Sequence, residues 1–167
     1  MYYLYSHIFY YIFIVHMERF MNKNKKIIAW GLLVFWMILI FFMSHQPGEV
    51  SSSQSDLVLK LFSLIGIELN EYFGELATFL VRKTAHFSEY MILYLLAYNV
   101  LRFYVNNRRT RLYLIGFVFL YACSDEFHQY FIPGRAMAFK DVMIDTTGGI
   151  IGFIIASLVE KYKIRKS

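Results

Sequence analysis

The sequence predicts an all-α fold, a polytopic bundle of four membrane-spanning helices with one short extracellular helix lying in the interface. Three observations carry that prediction. The 167 residues are 58% hydrophobic and 20% aromatic, a balance found in membrane proteins rather than soluble globular ones. Four apolar stretches approach or exceed the length needed to cross the bilayer, about 20 helical residues for about 30 Å of hydrocarbon. The basic residues behind the net charge of +5 sit at the ends of those stretches. They read as topology signals and not as a nucleic-acid footprint, which would interleave them with aromatics in a patch.

Residues 1–22 form an apolar N-terminal extension rich in Tyr, Phe and Ile, with no basic residue before Arg19. A secretory signal would begin with positive charge and end in small residues, and neither feature is present. The apolar run 2–15 is short for a span. It reads either as an extra interfacial or short spanning segment, or as residues upstream of a start at Met17 or Met21. The second reading is preferred, because Met21 and the lysines at 23, 25 and 26 make an ordinary cytoplasmic lead-in. His7 and His16 are then incidental.

The membrane domain is expected over residues 23–160, followed by a basic cytoplasmic tail at 161–167. The first span covers 27–43 and ends at Gln46-Pro47-Gly48, since Pro-Gly breaks a helix and opens a turn. Ser53 and Asp56 have capping-box spacing. Residues 57–69 are mostly apolar and carry a narrow polar stripe at Asp56, Lys60 and Ser63, which suits a short interfacial helix. Further spans are expected at 76–101, 112–129 and 141–159. Arg102, Arg108, Arg109 and Arg111 lie in the second-to-third link, and Lys161, Lys163, Arg165 and Lys166 at the C-terminus. Only Lys60, Arg135 and Lys140 lie in the opposite loops, so both ends of the four-span core are expected in the cytoplasm. The lone Cys123 permits no internal disulfide and reads as a small buried apolar residue. His45 reads as a helix-end residue, and Tyr90, Tyr94 and Tyr98 as packing or interface anchors.

Two charged runs interrupt this apolar pattern, 82–90 and 124–149. A charge at mid-bilayer costs about 2.5–3.5 kcal/mol on insertion scales, so such residues rarely persist without a partner or a job. With a rise of 1.5 Å per residue, His86, Asp125 and Asp145 each lie roughly 20–22 Å above the cytoplasmic end of their spans. Arg82, His86 and Glu89 share one side of the second span. Asp125, His128 and Gln129 are placed together on the third, and Asp141, Asp145, Gly149 and Gly152 on the fourth. Small residues there allow close helix approach. Pro133-Gly134-Arg135 makes a turn that aims Arg135 toward the cluster. Glu126, about 100° around the helix from Asp125, is expected to face Tyr130 or the surface.

These motifs together resemble the VanZ-like family of bacterial membrane proteins. The resemblance rests on Gln46-Pro47-Gly48, the run Arg82-Lys83 with Ala85-His86-Phe87 and Glu89-Tyr90, Ser124-Asp125-Glu126 with His128-Gln129, Pro133-Gly134-Arg135, and Asp141-Val142 with Asp145 and Gly148. It implies a role in cell-envelope biology, and its founding member is associated with low-level resistance to the glycopeptide teicoplanin. It supplies no reaction.

Three readings of the polar residues stand side by side. They can lock four helices together as paired buried charges. They can form an outward site for a lipid-linked precursor or a glycopeptide-like molecule, as an enzyme or as a binding protein. In that case Arg82, Lys83, Arg135, Asp141, Asp145 and Gln129 are the candidate substrate contacts, the arginines through bidentate bonds to phosphate or carboxylate. His86 or His128 would be the general acid or base, oriented by Asp125 or Glu89. Third, His86 with Glu89, Asp125 with His128, and Asp145 offer N/O ligands for a divalent ion. Arg82 and Lys83 oppose a cation, so no metal ligand and no cofactor is assigned. The expected partners are the bilayer and an envelope precursor or glycopeptide, with no nucleic acid.

Overall fold

The structure is a computed structural model that describes residues 2–74, 76–105 and 107–166, with side chains from Asn22 onward. Helices follow in the order α1 (Tyr2–Ser44), α2 (Gly48–Leu64), α3 (Leu69–Phe73), α4 (Leu76–Leu101), α5 (Arg108–Gln129) and α6 (Phe139–Lys166). No strand occurs among the described residues, so the all-α expectation holds. α1 runs unbroken from Tyr2. The side chains of His7 and His16, and the expected extension's contacts, lie outside the described residues.

α4 is the axis of the bundle. It packs most extensively against α6, and also against α1, α2, α3 and α5. Its buried residues His86, Tyr90, Leu93, Tyr94, Ala97 and Val100 recur at helical spacing and face Val118 and Ala122 of α5, Val142 and Ala156 of α6, and Leu33 and Ile40 of α1. Tyr90 and Tyr94 are completely buried, as packing anchors should be. The Tyr94 hydroxyl donates to the Arg111 carbonyl at 3.0 Å.

Glycines set the α4–α6 distance. A Cβ on Gly148 would lie 2.1 Å from the Phe87 carbonyl oxygen, and one on Gly152 would lie 2.9 Å from the Met91 carbonyl oxygen. The close seam therefore runs along Asp141, Asp145, Gly148 and Gly152. Gly149, expected on that side, turns instead to α5, where its Cβ would meet Val118 at 2.7 Å. One residue is about 100° of helix, enough to move it to the neighbouring interface.

The helix ends differ from expectation where capping chemistry overrides apolar pattern. α5 begins at Arg108 instead of 112, because the Asn107 side chain accepts from the Thr110 amide at 2.8 Å. α6 continues to Lys166, with Lys163, Arg165 and Lys166 in its last turn, where the helix dipole favours positive charge. The interfacial helix was expected at 57–69. α2 instead starts at Gly48, directly after Pro47, and the chain breaks near Gly66 before α3. Ser53 is inside α2 and donates back to the Glu49 carbonyl at 3.0 Å, so the capping-box spacing opens no helix.

The outward faces are apolar. Ile27, Phe35 and Phe42 of α1 and Leu57, Leu61 and Leu64 of α2 are at least 60% exposed, a surface suited to hydrocarbon and hazardous in water. Two helices among the described residues are long and apolar enough to cross a membrane, Asn22–Ser44 and Phe139–Lys166. α4 and α5, with 26 and 22 residues, have the length but are not of that pair.

Candidate functional site

The polar residues converge at the end of the bundle opposite the Arg-rich α4–α5 link. His86 comes from α4, Asp125 and Gln129 from α5, and Asp145 from α6. Ligating atoms of His86, Asp125 and Asp145 all lie within 4.8 Å of one another, so the common level expected from helical rise is realised. Asp145 is completely buried, and Asp125 and His86 are 6% and 8% exposed.

Asp125 is tightly held. Its Oδ2 accepts from the Ser44 hydroxyl at 2.8 Å and from Gln129 Nε2 at 3.1 Å, and Gln129 also donates to Ser44 Oγ at 3.2 Å. Asp145 is not. Its Oδ1 stands 3.5 Å from His86 Nδ1. Both its oxygens, with His86 Nδ1 and the Tyr90 hydroxyl, are buried without a hydrogen-bond partner among the described residues.

The turn at Arg135 does aim back toward the cluster, and it does more. Arg135 Nε donates to the Gln46 carbonyl at 2.9 Å, Nη2 to the Met43 carbonyl at 3.1 Å, and Nη1 to Gln129 Oε1 at 3.3 Å. It thus caps the Met43 carbonyl in the last turn of α1 and the Gln46 carbonyl of the turn beyond, while touching the cluster. Gly48 N–H donates to the Pro133 carbonyl at 3.1 Å. A Cβ on Gly48 would lie 2.1 Å from the Gly134 carbonyl oxygen. The two Pro-Gly turns, 89 residues apart in the Arg135–Gln46 bond, are therefore one joint. Burial and then the nearby Arg82 guanidinium lower the Arg135 pKa from its ordinary value, yet a guanidinium stays charged.

Three hollows meet here. A cavity of about 130 Å³ is lined by Ser44, Gln54, Arg82, His86, Glu89 and Arg135, with Met43, Val58, Val81 and Ala85 among its apolar residues. A second, of about 240 Å³, is lined by Arg82, Lys83, His86, Gln129, Arg135 and Asp141, with Gly134 and Ala136. Arg82, His86 and Arg135 form the wall between them. An apolar groove of about 490 Å³ between α2, α3 and α4 shares Val58, Val81 and Ala85 with the first cavity.

Arg82, His86 and Glu89 thus share a face, as expected. Lys83 and Asp141 pair with one another at the second cavity. His128 is the departure. It lies across from His45, Nδ1 of His45 to Nε2 of His128 being 3.1 Å, and stacks on Phe41 at 4.7 Å. Its three-residue offset from Asp125 leaves it about 60° off that face, which turns it toward α1 and away from His86. Glu126 is a second correction. It is completely buried, and its Oε2 accepts the Ala138 amide at 2.9 Å, tying α5 to the approach of α6. Sequence reasoning also missed Ser44, whose partner lies 81 residues away and is visible only once α1 lies beside α5.

Helices packed by glycine around a buried His–Asp–Asp cluster, with basic cavities alongside, define a helical-bundle protein with a polar site at one end. The family model VanZ/LLP1 matches residues 29–160, and the chain belongs to that family. Comparison with the curated proteins and with the solved structures found no match.

Proposed function

We propose that this VanZ/LLP1 protein is a four-span plasma-membrane protein whose site faces outward and binds an anionic amphiphile, of the class of lipid-linked envelope precursors. The observation that carries the reading is the shared wall of Val58, Val81 and Ala85 between the apolar groove and the cavity holding Arg82 and Arg135. A molecule with an acyl or prenyl chain and a phosphate head matches both parts, chain along the groove and head against the guanidiniums. The excess of Arg and Lys at the opposite end of the bundle supports the outward orientation. The exposed apolar faces of α1 and α6 support the membrane setting.

Protection against teicoplanin is the corresponding phenotype, through occupancy or alteration of a precursor at the outer leaflet. A catalytic version of the same site has one specific support: His86 lines both cavities and has Asp145 behind it, an arrangement fit for proton transfer.

The test purifies wild type, Arg82→Gln and Val58→Trp in mild detergent and identifies the retained lipids by mass spectrometry. Wild type should retain a phosphate-bearing lipid that both variants lose, a prenyl-linked species marking a precursor and a diacyl species a bulk phospholipid. Equal lipid content in all three would refute the site. A parallel susceptibility assay in a teicoplanin-sensitive Gram-positive host, with membrane levels matched, tests the phenotype.

A further inference from the structure

The geometry points to a divalent metal site formed by His86, Asp125 and Asp145, filled by a zinc- or manganese-class ion. Two buried carboxylates and one imidazole come together from three different helices, with their ligating atoms mutually within 4.8 Å. Around an ion with metal–ligand bonds of 2.0–2.2 Å, tetrahedral ligand atoms sit about 3.3–3.6 Å apart. The His86 Nδ1 to Asp145 Oδ1 distance of 3.5 Å already has that value, and it is longer than an ordinary hydrogen bond.

The independent sign is the state of Asp145. It is completely buried; its Oδ2 has no hydrogen-bond partner among the described residues, and its Oδ1 meets only His86 Nδ1, at 3.5 Å. Buried carboxylates are ordinarily paired or bound to metal. A dication would neutralise the two carboxylates and give His86 Nδ1 and Asp145 a common partner. Asp125 has the outer support that metal ligands need: Ser44 and Gln129 hold its Oδ2 and so orient the carboxylate.

Two of the three neighbouring cations are committed elsewhere: Lys83 is paired with Asp141, and Arg135 is directed at the Met43 and Gln46 carbonyls and at Gln129. One nitrogen and two carboxylates favour zinc or manganese over calcium, which takes all-oxygen shells. Three protein ligands leave a coordination position open. His86 belongs to the walls of both cavities, so that position is within reach of a phosphate bound there. The site does not depend on the lipid reading.

The test uses the full chain in detergent, purified with a tag free of histidine, stripped with chelator and reloaded with Zn²⁺ or Mn²⁺ alone. One ion per chain is expected by elemental analysis, with X-ray absorption showing a single imidazole and oxygen donors. Asp145→Asn should weaken binding by at least tenfold, Gln129→Ala by roughly 10–100-fold, and His128→Ala should leave it unchanged. Failure of wild type to bind either ion stoichiometrically overturns the site. So does a spectrum with two imidazoles, which would place the ion on His45 and His128. If Asp145→Asn does not fold, the wild-type spectrum decides alone.

Discussion

Replacing Gly148 by alanine tests whether the α4–α6 seam positions the polar cluster. The new Cβ would sit 2.1 Å from the Phe87 carbonyl oxygen, 3.0 Å from its carbon and 3.2 Å from the Met91 amide nitrogen. Real Cβ atoms keep at least 3.0 Å, and the obstruction is helix backbone rather than a side chain that can swing away, so the helices must part by about 1 Å. Overpacking of this kind costs about 1–3 kcal/mol, with each kcal/mol lowering Tm by roughly 2–4 °C in a chain of this size. The wedge lies one turn from Asp145 and next to His86, so it also lengthens the 3.5 Å His86–Asp145 contact. Gly116 is the internal control: it is on α5, and a Cβ there meets nothing within 4 Å. Gly116→Ala should hold stability or raise it by up to about 1 kcal/mol, since alanine is the better helix former. Thermal unfolding of both detergent-solubilised variants, followed by size-exclusion chromatography, measures the difference. A Gly148→Ala protein as stable as Gly116→Ala would refute the claim that backbone contact sets this interface.

Further outcomes follow from other contacts. Ser44→Ala removes the 2.8 Å donor to the buried Asp125 carboxylate and should lower stability by about 1.5–3 kcal/mol, read in the same assay; no loss would mean that Asp125 is neutral or otherwise satisfied. Arg135→Lys should not rescue Arg135→Ala, because a lysine cannot reach the Met43, Gln46 and Gln129 acceptors from one planar fork; equal membrane levels for Arg135→Lys and wild type would contradict this. The proposed four-span topology predicts that, in a Cys123→Ser background, Ser51→Cys reacts with an impermeant maleimide in intact cells and Arg109→Cys only after permeabilisation. The reverse pattern would invert the protein.

Much of the fold was legible because long apolar helices announce themselves through composition. The 76–101 helix was placed at its observed bounds, and the level shared by His86, Asp125 and Asp145 followed from helical rise alone. Helix ends were less legible. The start of α5 depends on the Asn107 cap, and the start of α2 depends on the Pro47-Gly48 joint with Pro133 and Gly134.

The linear order of residues thus determined where the four long apolar helices lie and which family the chain resembles, since those depend on local periodicity and spacing; the short α3 after Gly66 was not anticipated. Tertiary packing alone decided which polar residues meet. A three-residue offset left His128 among the apparent partners of Asp125, yet its rotation sends it to His45. Glu126, about 100° off the same face, is buried against Ala138 rather than facing outward. Ser44 became part of the cluster only when α1 was laid against α5. Rotation about a helix axis is readable from sequence only relative to its neighbours, and the neighbours are chosen by glycine contacts and backbone hydrogen bonds between residues far apart in the chain.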